Sequence, residues 1–194
     1  MAYLGYVRFP TIHGEQIVFT AEDDLWLVTT AGGRAERLTA GVAEITNARF
    51  SPDGQSLAFT GKDEGPTEVY VMPLDGGVAR RLTYEGCDSV IAGWRPDGSG
   101  IVYTSSAYQP SRRWRALHEV APTGGEPRVL PYGVAHSIAF GPHSALIVGR
   151  NTDEPAHWKR YRGGTAGYLW IDVSGSGEFT RLLPDLKSNV SYPC

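Results

Sequence analysis

The 194-residue chain carries 18 basic and 21 acidic side chains, a formal net charge of -3, and 41% hydrophobic residues. So mild an acidity argues against nucleic acid as the main partner, and no apolar run is long enough to cross a membrane. Cys87 and Cys194 make no disulfide framework, and MAYLGYVRFP lacks the basic start and apolar core of a secretory signal, so a cytoplasmic home is expected.

The first element, TIHGEQIVFT (Thr11 to Thr20), reads as two short strands about a His-Gly turn. Leu25-Trp26-Leu27-Val28 follows, then Gly32-Gly33, then Arg37-Leu38-Thr39. The next stretch, ARFSPDGQSLAFT (Ala48 to Thr60), is a hairpin whose turn chemistry is explicit. Pro presets φ, Asp bonds its own backbone, and Gly accepts φ > 0. Val69 to Met72, Asp75-Gly76-Gly77 and Arg81-Leu82-Thr83 then repeat the earlier order, with Leu82 44 residues after Leu38. WRPDGSGIVYT (Trp94 to Thr104) places Pro96 44 residues after Pro52. It leads to Leu117 to Val120, Gly124-Gly125 and Arg128-Val129-Leu130. FGPHSALIVG (Phe140 to Gly149) is a looser fourth copy, followed by Leu169 to Val173, Gly175 to Gly177 and Arg181-Leu182-Leu183.

Four short strands per copy at this period mark an all-β fold, a β-propeller of four-stranded antiparallel blades. One blade cannot bury both faces alone, so it stacks on the next. The blades are expected near residues 4–40, 45–84, 90–131 and 136–184, with a further inner strand beginning at 189–194. An unfinished blade leaves strand edges bare. The chain is therefore expected to be part of a larger ring, completed by residues beyond Cys194 or by another chain. The alternative is a self-contained four-bladed ring with a short tail.

Catalytic patterns are absent. VSGSG (Val173 to Gly177) approaches Gly-x-Ser-x-Gly but reads as a turn. No His-Glu-x-x-His or Cys-x-x-Cys occurs, so no metal or other cofactor is expected. GGTAG (Gly163 to Gly167) lacks the Gly-Lys-Ser/Thr of a phosphate loop. His13, at a turn, His118, in a strand beside Glu119, and His136, near an inner strand, read as structural or solvated. Asn189-Val190-Ser191 fits a glycosylation pattern, by chance if the chain is not secreted.

Two connections break the rhythm. GKDEGPT (Gly61 to Thr67) joins the second and third strands of blade two, whereas RNTDEPAHWKRYRGGTAG (Arg150 to Gly167) does so in blade four. Loops this long inside a compact domain are usually functional or disordered. This one holds His157, Trp158, Lys159, Arg160, Tyr161 and Arg162; the blade-three loop, SAYQPSRRW (Ser106 to Trp114), holds Arg112 and Arg113. In an up-and-down blade both loops crown the same face. Guanidinium groups grip carboxylates bidentately and aromatic rings add cation–π partners, so the rim suits a peptide with a free carboxyl end. Packing of this face on another domain is the competing reading.

HGEQIVFTAEDDLW (His13 to Trp26), ITNARFSPDGQSLAF (Ile45 to Phe59) and above all VGRNTDEPAHWKRYRGGTAGYLWIDV (Val148 to Val173) resemble the amino-terminal part of the tricorn proteases. The resemblance runs from Tyr6 to Pro193. It implies a large cytosolic serine peptidase that opens with a six-bladed propeller. A seven-bladed propeller, a PDZ-like module and the catalytic domains would follow, assembled as hexamers that cut short peptides released by proteasomes. This chain would then hold about four of six blades and the start of a fifth, and would filter or channel peptides with no catalytic residue of its own. The implied partners are peptides, the downstream domains and further copies. One departure matters. The family can present a basic pair after the second blade, but here YEGCDS (Tyr84 to Ser89) has no arginine. That role is absent or has moved to Arg112-Arg113 or the 159–162 run. The rivals are a TolB-like interaction module and the propeller of a prolyl-oligopeptidase or dipeptidyl-peptidase.

Overall fold

Each copy of the repeat folds as one antiparallel sheet of four strands. The structure, a computed structural model, describes residues 6–41, 44–151, 163–164, 166–186, 188–190 and 193. The first sheet comprises β1 (Arg8–His13), β2 (Gln16–Ala21), β3 (Asp24–Thr29) and β4 (Glu36–Arg37). The second comprises β5 (Ile45–Phe50), β6 (Ser56–Gly61), β7 (Glu68–Pro73) and β8 (Arg80–Arg81). The third holds β9 (Ser89–Trp94), β10 (Ile101–Ser105), β11 (Ala116–Val120) and β12 (Arg128–Val134). The fourth holds β13 (Ser137–Phe140), β14 (Leu146–Arg150), β15 (Tyr168–Asp172) and β16 (Thr180–Arg181). Strands lie in chain order within every sheet, the up-and-down arrangement of a propeller blade. Among the described residues there is no α-helix, only a 3-10 turn at Pro142–Ser144, and no helix long and apolar enough to cross a membrane.

Local turn chemistry sets the hairpins. The Asp53 carboxylate accepts from the Ser51 hydroxyl at 2.5 Å and the Gln55 N–H at 3.0 Å, and Asp97 accepts from the Ser99 N–H and hydroxyl at 3.0 and 2.6 Å. Gly54 sits at φ 71, and a Cβ there would meet the His13 ring at 2.5 Å, so both conformation and space demand glycine. The first hairpin is tighter than the His-Gly reading implied. His13 pairs with Gln16 and so still belongs to β1, leaving Gly14 and Glu15 as the turn. His13 instead packs on Phe50, ring centroids 5.7 Å apart.

Two compact units divide the chain, Met1–Tyr103 with Val120–Pro127, and Thr104–Glu119 with Arg128–Cys194. In the first unit, Val18 and Leu25 of blade one pack on Leu57, Phe59, Tyr70 and Met72 of blade two. The opposite face of blade two, Ala58, Val69, Val71 and Leu82, packs on Ile91, Trp94, Ile101 and Tyr103. Blade two is thus dry on both sides, which is why LAF and VYVM run without polar alternation. Each such fully buried large side chain contributes about 1.5–3 kcal/mol. The matching outer face of blade one, Ile17, Phe19, Trp26 and Val28, is only half-buried.

One hydrogen bond recurs after the fourth strand of every blade. Ile45 N–H donates to Asp23 O at 3.0 Å and Ser89 N–H to Thr67 O at 2.9 Å in the first unit. In the second, Ala135 N–H donates to Arg115 O at 3.0 Å and Val190 N–H to Gly167 O at 3.2 Å. These bonds align the four blades residue by residue and correct one reading. Arg128 is not the third copy of Arg37 and Arg81. Arg37 and Arg81 lie opposite Trp26 and Tyr70, whereas Val129 lies opposite the corresponding His118. A one-residue slip moves a strand side chain to the other face. Arg128 accordingly pairs elsewhere, donating to Glu119 at 3.2 and 2.7 Å.

Candidate functional site

Arg112 and Arg113 are exposed on a turn between β10 and β11. Trp114 N–H closes that turn on Ser111 O at 3.0 Å, and the Ser111 hydroxyl accepts from Arg113 N–H at 3.3 Å. Both guanidinium groups lack an ion pair among the described residues. Aromatic surface flanks them in sequence. Trp114 is half-exposed, and Tyr108, 81% exposed at φ 60, stacks on the buried His118 with ring centroids 6.3 Å apart. His157, Trp158, Lys159, Arg160, Tyr161 and Arg162 lie outside the described residues. The base of their loop is tied where Asn151 Nδ2 donates to Gly164 O at 3.1 Å.

The connection after blade two has a structural job. Gly86 N–H donates to Glu68 Oε1 at 3.2 Å, Thr67 N–H to Asp88 Oδ1 at 3.1 Å, and Tyr84 lies under the Arg81 guanidinium at 4.4 Å. Cys87 within it is a free, partly buried thiol. Among the described residues no three His, Cys, Asp or Glu side chains gather as metal ligands.

The polar network that sequence reasoning missed lies at the start of the third strand in blades one and two. Asp24 is buried there; Thr39 hydroxyl donates to its carboxylate at 2.8 Å, and Arg37 donates to its other oxygen. Thr39 Oγ1 also accepts from Leu25 N–H at 2.9 Å, and Arg37 Nε donates to Thr39 O at 2.9 Å. Blade two repeats every contact. Thr83 hydroxyl and Arg81 Nη2 donate to Glu68 at 2.5 and 3.0 Å, Val69 N–H to Thr83 Oγ1 at 2.9 Å, and Arg81 Nε to Thr83 O at 2.8 Å. The available signal was an acid 15 residues before each Arg-Leu-Thr threonine. In blade three Ala116 stands at the position of the acid. In blade four it is Tyr168, whose ring lies 3.8 Å from the Arg181 guanidinium carbon.

The carboxylates at the opposite turns are held ionised. Hydrogen bonds from Ser51 and Gln55 keep Asp53 below the usual carboxylate pKa, and Ser99 does the same for Asp97. Burial opposes ionisation of Asp172, but N–H donors from Gly177, Ser174 and Ser176, at 2.6, 3.1 and 3.2 Å, hold its pKa low.

The model of the tricorn protease N-terminal β-propeller domain matches residues 4–194. A tricorn protease homolog of Streptomyces coelicolor is 44% identical over 97% of this chain, yet the chain spans only 18% of that relative's length. The crystal structure of the tricorn protease superposes with a TM-score of 0.85 at 32% identity, covering 98% of this chain and 19% of that one. A TolB protein of Agrobacterium tumefaciens follows at TM-score 0.72 and 20% identity, covering 91% of this chain and 61% of that one, a likeness of fold alone.

Proposed function

The chain belongs to the family of tricorn protease N-terminal β-propeller domains, and from that premise we propose that it is the propeller portion of a larger serine-type peptidase of the cytoplasm. It filters or channels short peptides and scaffolds a homo-oligomer, a hexamer by family resemblance, with no chemistry of its own. Its blades occupy residues 4–40, 45–84, 90–131 and 136–184 of a six-bladed ring, and a fifth begins at 189–194. The observation that carries the reading is the match along 97% of this chain at 44% identity to a relative named as a protease. Two features support the larger ring. Val190 repeats the inter-blade hydrogen bond, and the apolar face of Ile17, Phe19, Trp26 and Val28 is left half-buried where its blade-two counterpart is dry.

Peptides meet the loop face at Arg112 and Arg113 and at His157, Trp158, Lys159, Arg160, Tyr161 and Arg162. Guanidinium forks take the free carboxyl end and aromatic rings cover the adjoining residues. The chain alone is expected to bind short free-acid peptides without hydrolysing them. Arg160→Glu with Arg162→Glu is expected to weaken that binding about tenfold or more. Turnover of fluorogenic peptides by the purified chain would overturn the non-catalytic role. Equal affinity for amidated peptides would overturn the carboxylate contact.

A further inference from the structure

Blades one and two place a carboxylate at the first residue of the third strand and neutralise it with the arginine of the fourth strand. Blade four keeps the arginine but not the acid. Arg181 lies opposite Trp170, as Arg37 lies opposite Trp26, so its side chain belongs on the same face. Tyr168 stands where Asp24 and Glu68 stand, with the Arg181 guanidinium over its ring at 3.8 Å. Directly across from Tyr168 is Arg150, where the other two blades place Ala21 and Gly61. Paired residues share a face, so Arg150, Tyr168 and Arg181 lie on the same side of the sheet.

Neither Arg150 nor Arg181 forms an ion pair among the described residues. Arg150 Nε donates to Val134 O at 3.1 Å, which fixes its base. Arg181 Nε is buried and has no acceptor. In blades one and two that atom donates to a threonine carbonyl, at 2.9 and 2.8 Å. Leu183 stands at that position here, in the left-handed region at φ 52, and the bond is not made. A buried donor without an acceptor is costly unless something completes it, and exposed Arg150 adds a second positive charge on the same side of the sheet.

We infer that Arg150, Tyr168 and Arg181 form a carboxylate-binding site, in which an incoming carboxylate supplies the negative charge that Asp24 and Glu68 supply in blades one and two. The ligand would accept charge-assisted bonds from the Arg181 guanidinium, with Arg150 as the second cation and the Tyr168 ring beside it. The inference rests on the peptide-handling reading above and adds a subsite at the end of the long loop, on residues which that reading does not use.

The test is a titration of the full 194-residue chain, 15N-labelled, followed at the arginine Nε–H signals, with Arg181→Lys and Arg150→Lys supplying the assignments. Three probes separate the sources of carboxylate: acetyl-Ala-Ala-Ala as the free acid, the same peptide amidated, and amidated acetyl-Ala-Glu-Ala. The free acid, the glutamyl peptide, or both should move the Arg181 Nε–H signal, while the neutral amide leaves it still. The preferred probe names a carboxyl terminus or an acidic side chain as the source. Arg181→Lys, which keeps charge but loses the fork, should weaken binding at least about fivefold. An unmoved signal at saturating carboxylate, or an equal response to the neutral amide, overturns the site; the wild-type titration decides even if a variant misfolds. If free-acid binding survives Arg181→Lys but is lost in Arg112→Ala with Arg113→Ala, the subsite fails and the peptide reading stands. If no carboxylate peptide binds the chain at all, both fail.

Discussion

Blades two and four solve the same problem at the same place with different residues. In blade two, Glu68, Arg81 and Thr83 close a network in which a fully buried acid is satisfied on both oxygens. In blade four, Tyr168, Arg181 and Leu183 occupy the same positions, and the arginine is left on an aromatic face. The substitutions are coordinated: with the acid lost, the threonine that shared it is lost as well. A buried polar network is complete or it is a liability, since a half-satisfied one strands its remaining members. Where the arginine persists alone, its retention points away from blade stability and toward something outside the sheet.

The strongest way to break the comparison is Glu68→Leu. It leaves Arg81 beside a dry core with no counter-charge, and a cost of about 3 kcal/mol or more is expected. Urea unfolding would measure it, and adding Arg81→Leu should recover a large part, because the stranded charge goes too. Next in size is Thr83→Val, which removes the hydroxyl linking Glu68 to Val69 N–H and should cost about 1–2 kcal/mol. Its mirror, Leu183→Thr in blade four, finds no acid to join and should fall within about 0.5 kcal/mol of the parent. A Leu183→Thr variant as strongly shifted as Thr83→Val would show that the blades do not differ as described.

The smallest effect concerns pH. The folded-state pKa of Asp53 is depressed by Ser51 and Gln55, so its contribution is complete above the unfolded-state value. It is lost as pH falls through the folded value, below the ordinary carboxylate range near ~4. Asp53→Asn should therefore lower the Tm at pH 7 and converge with the parent in acid. A melting-temperature gap that does not close below pH 3 would contradict the assignment.

Much of the fold was legible because its punctuation is local. Ser-Pro-Asp-Gly specifies its hairpin through contacts within five residues, so Pro52 and Pro96 disclosed the period without knowledge of the packing. The third blade was misaligned for a long-range reason. Its outer strand, Arg128–Val134, is long and its register shifts between Ala116 and His118, so the local resemblance of Arg128 to Arg37 was off by one position. The acid of the network was missed because Asp24 and Thr39 lie 15 residues apart and meet only across two strands. Of the candidate rim, the sequence singled out the charged runs by composition but passed over Arg150 and Arg181. Each sits in an ordinary strand, and only comparison of registers between blades shows that Tyr168 replaces the acid beside Arg181 and that Arg150 replaces a small residue.

The hydrogen bond that follows each blade's outer strands has a consequence for how the protein can vary. It joins residues 23 and 45, 67 and 89, 115 and 135, and 167 and 190, so each tie encloses only the outer half of a blade. An insertion upstream of the tie's first residue lengthens the chain without altering that enclosure. The long segment before Gly167 lies upstream of its tie in the same way, so its length leaves the bond between residues 167 and 190 unaltered. Length and sequence can therefore drift in these upstream segments while the ties between blades stay the same.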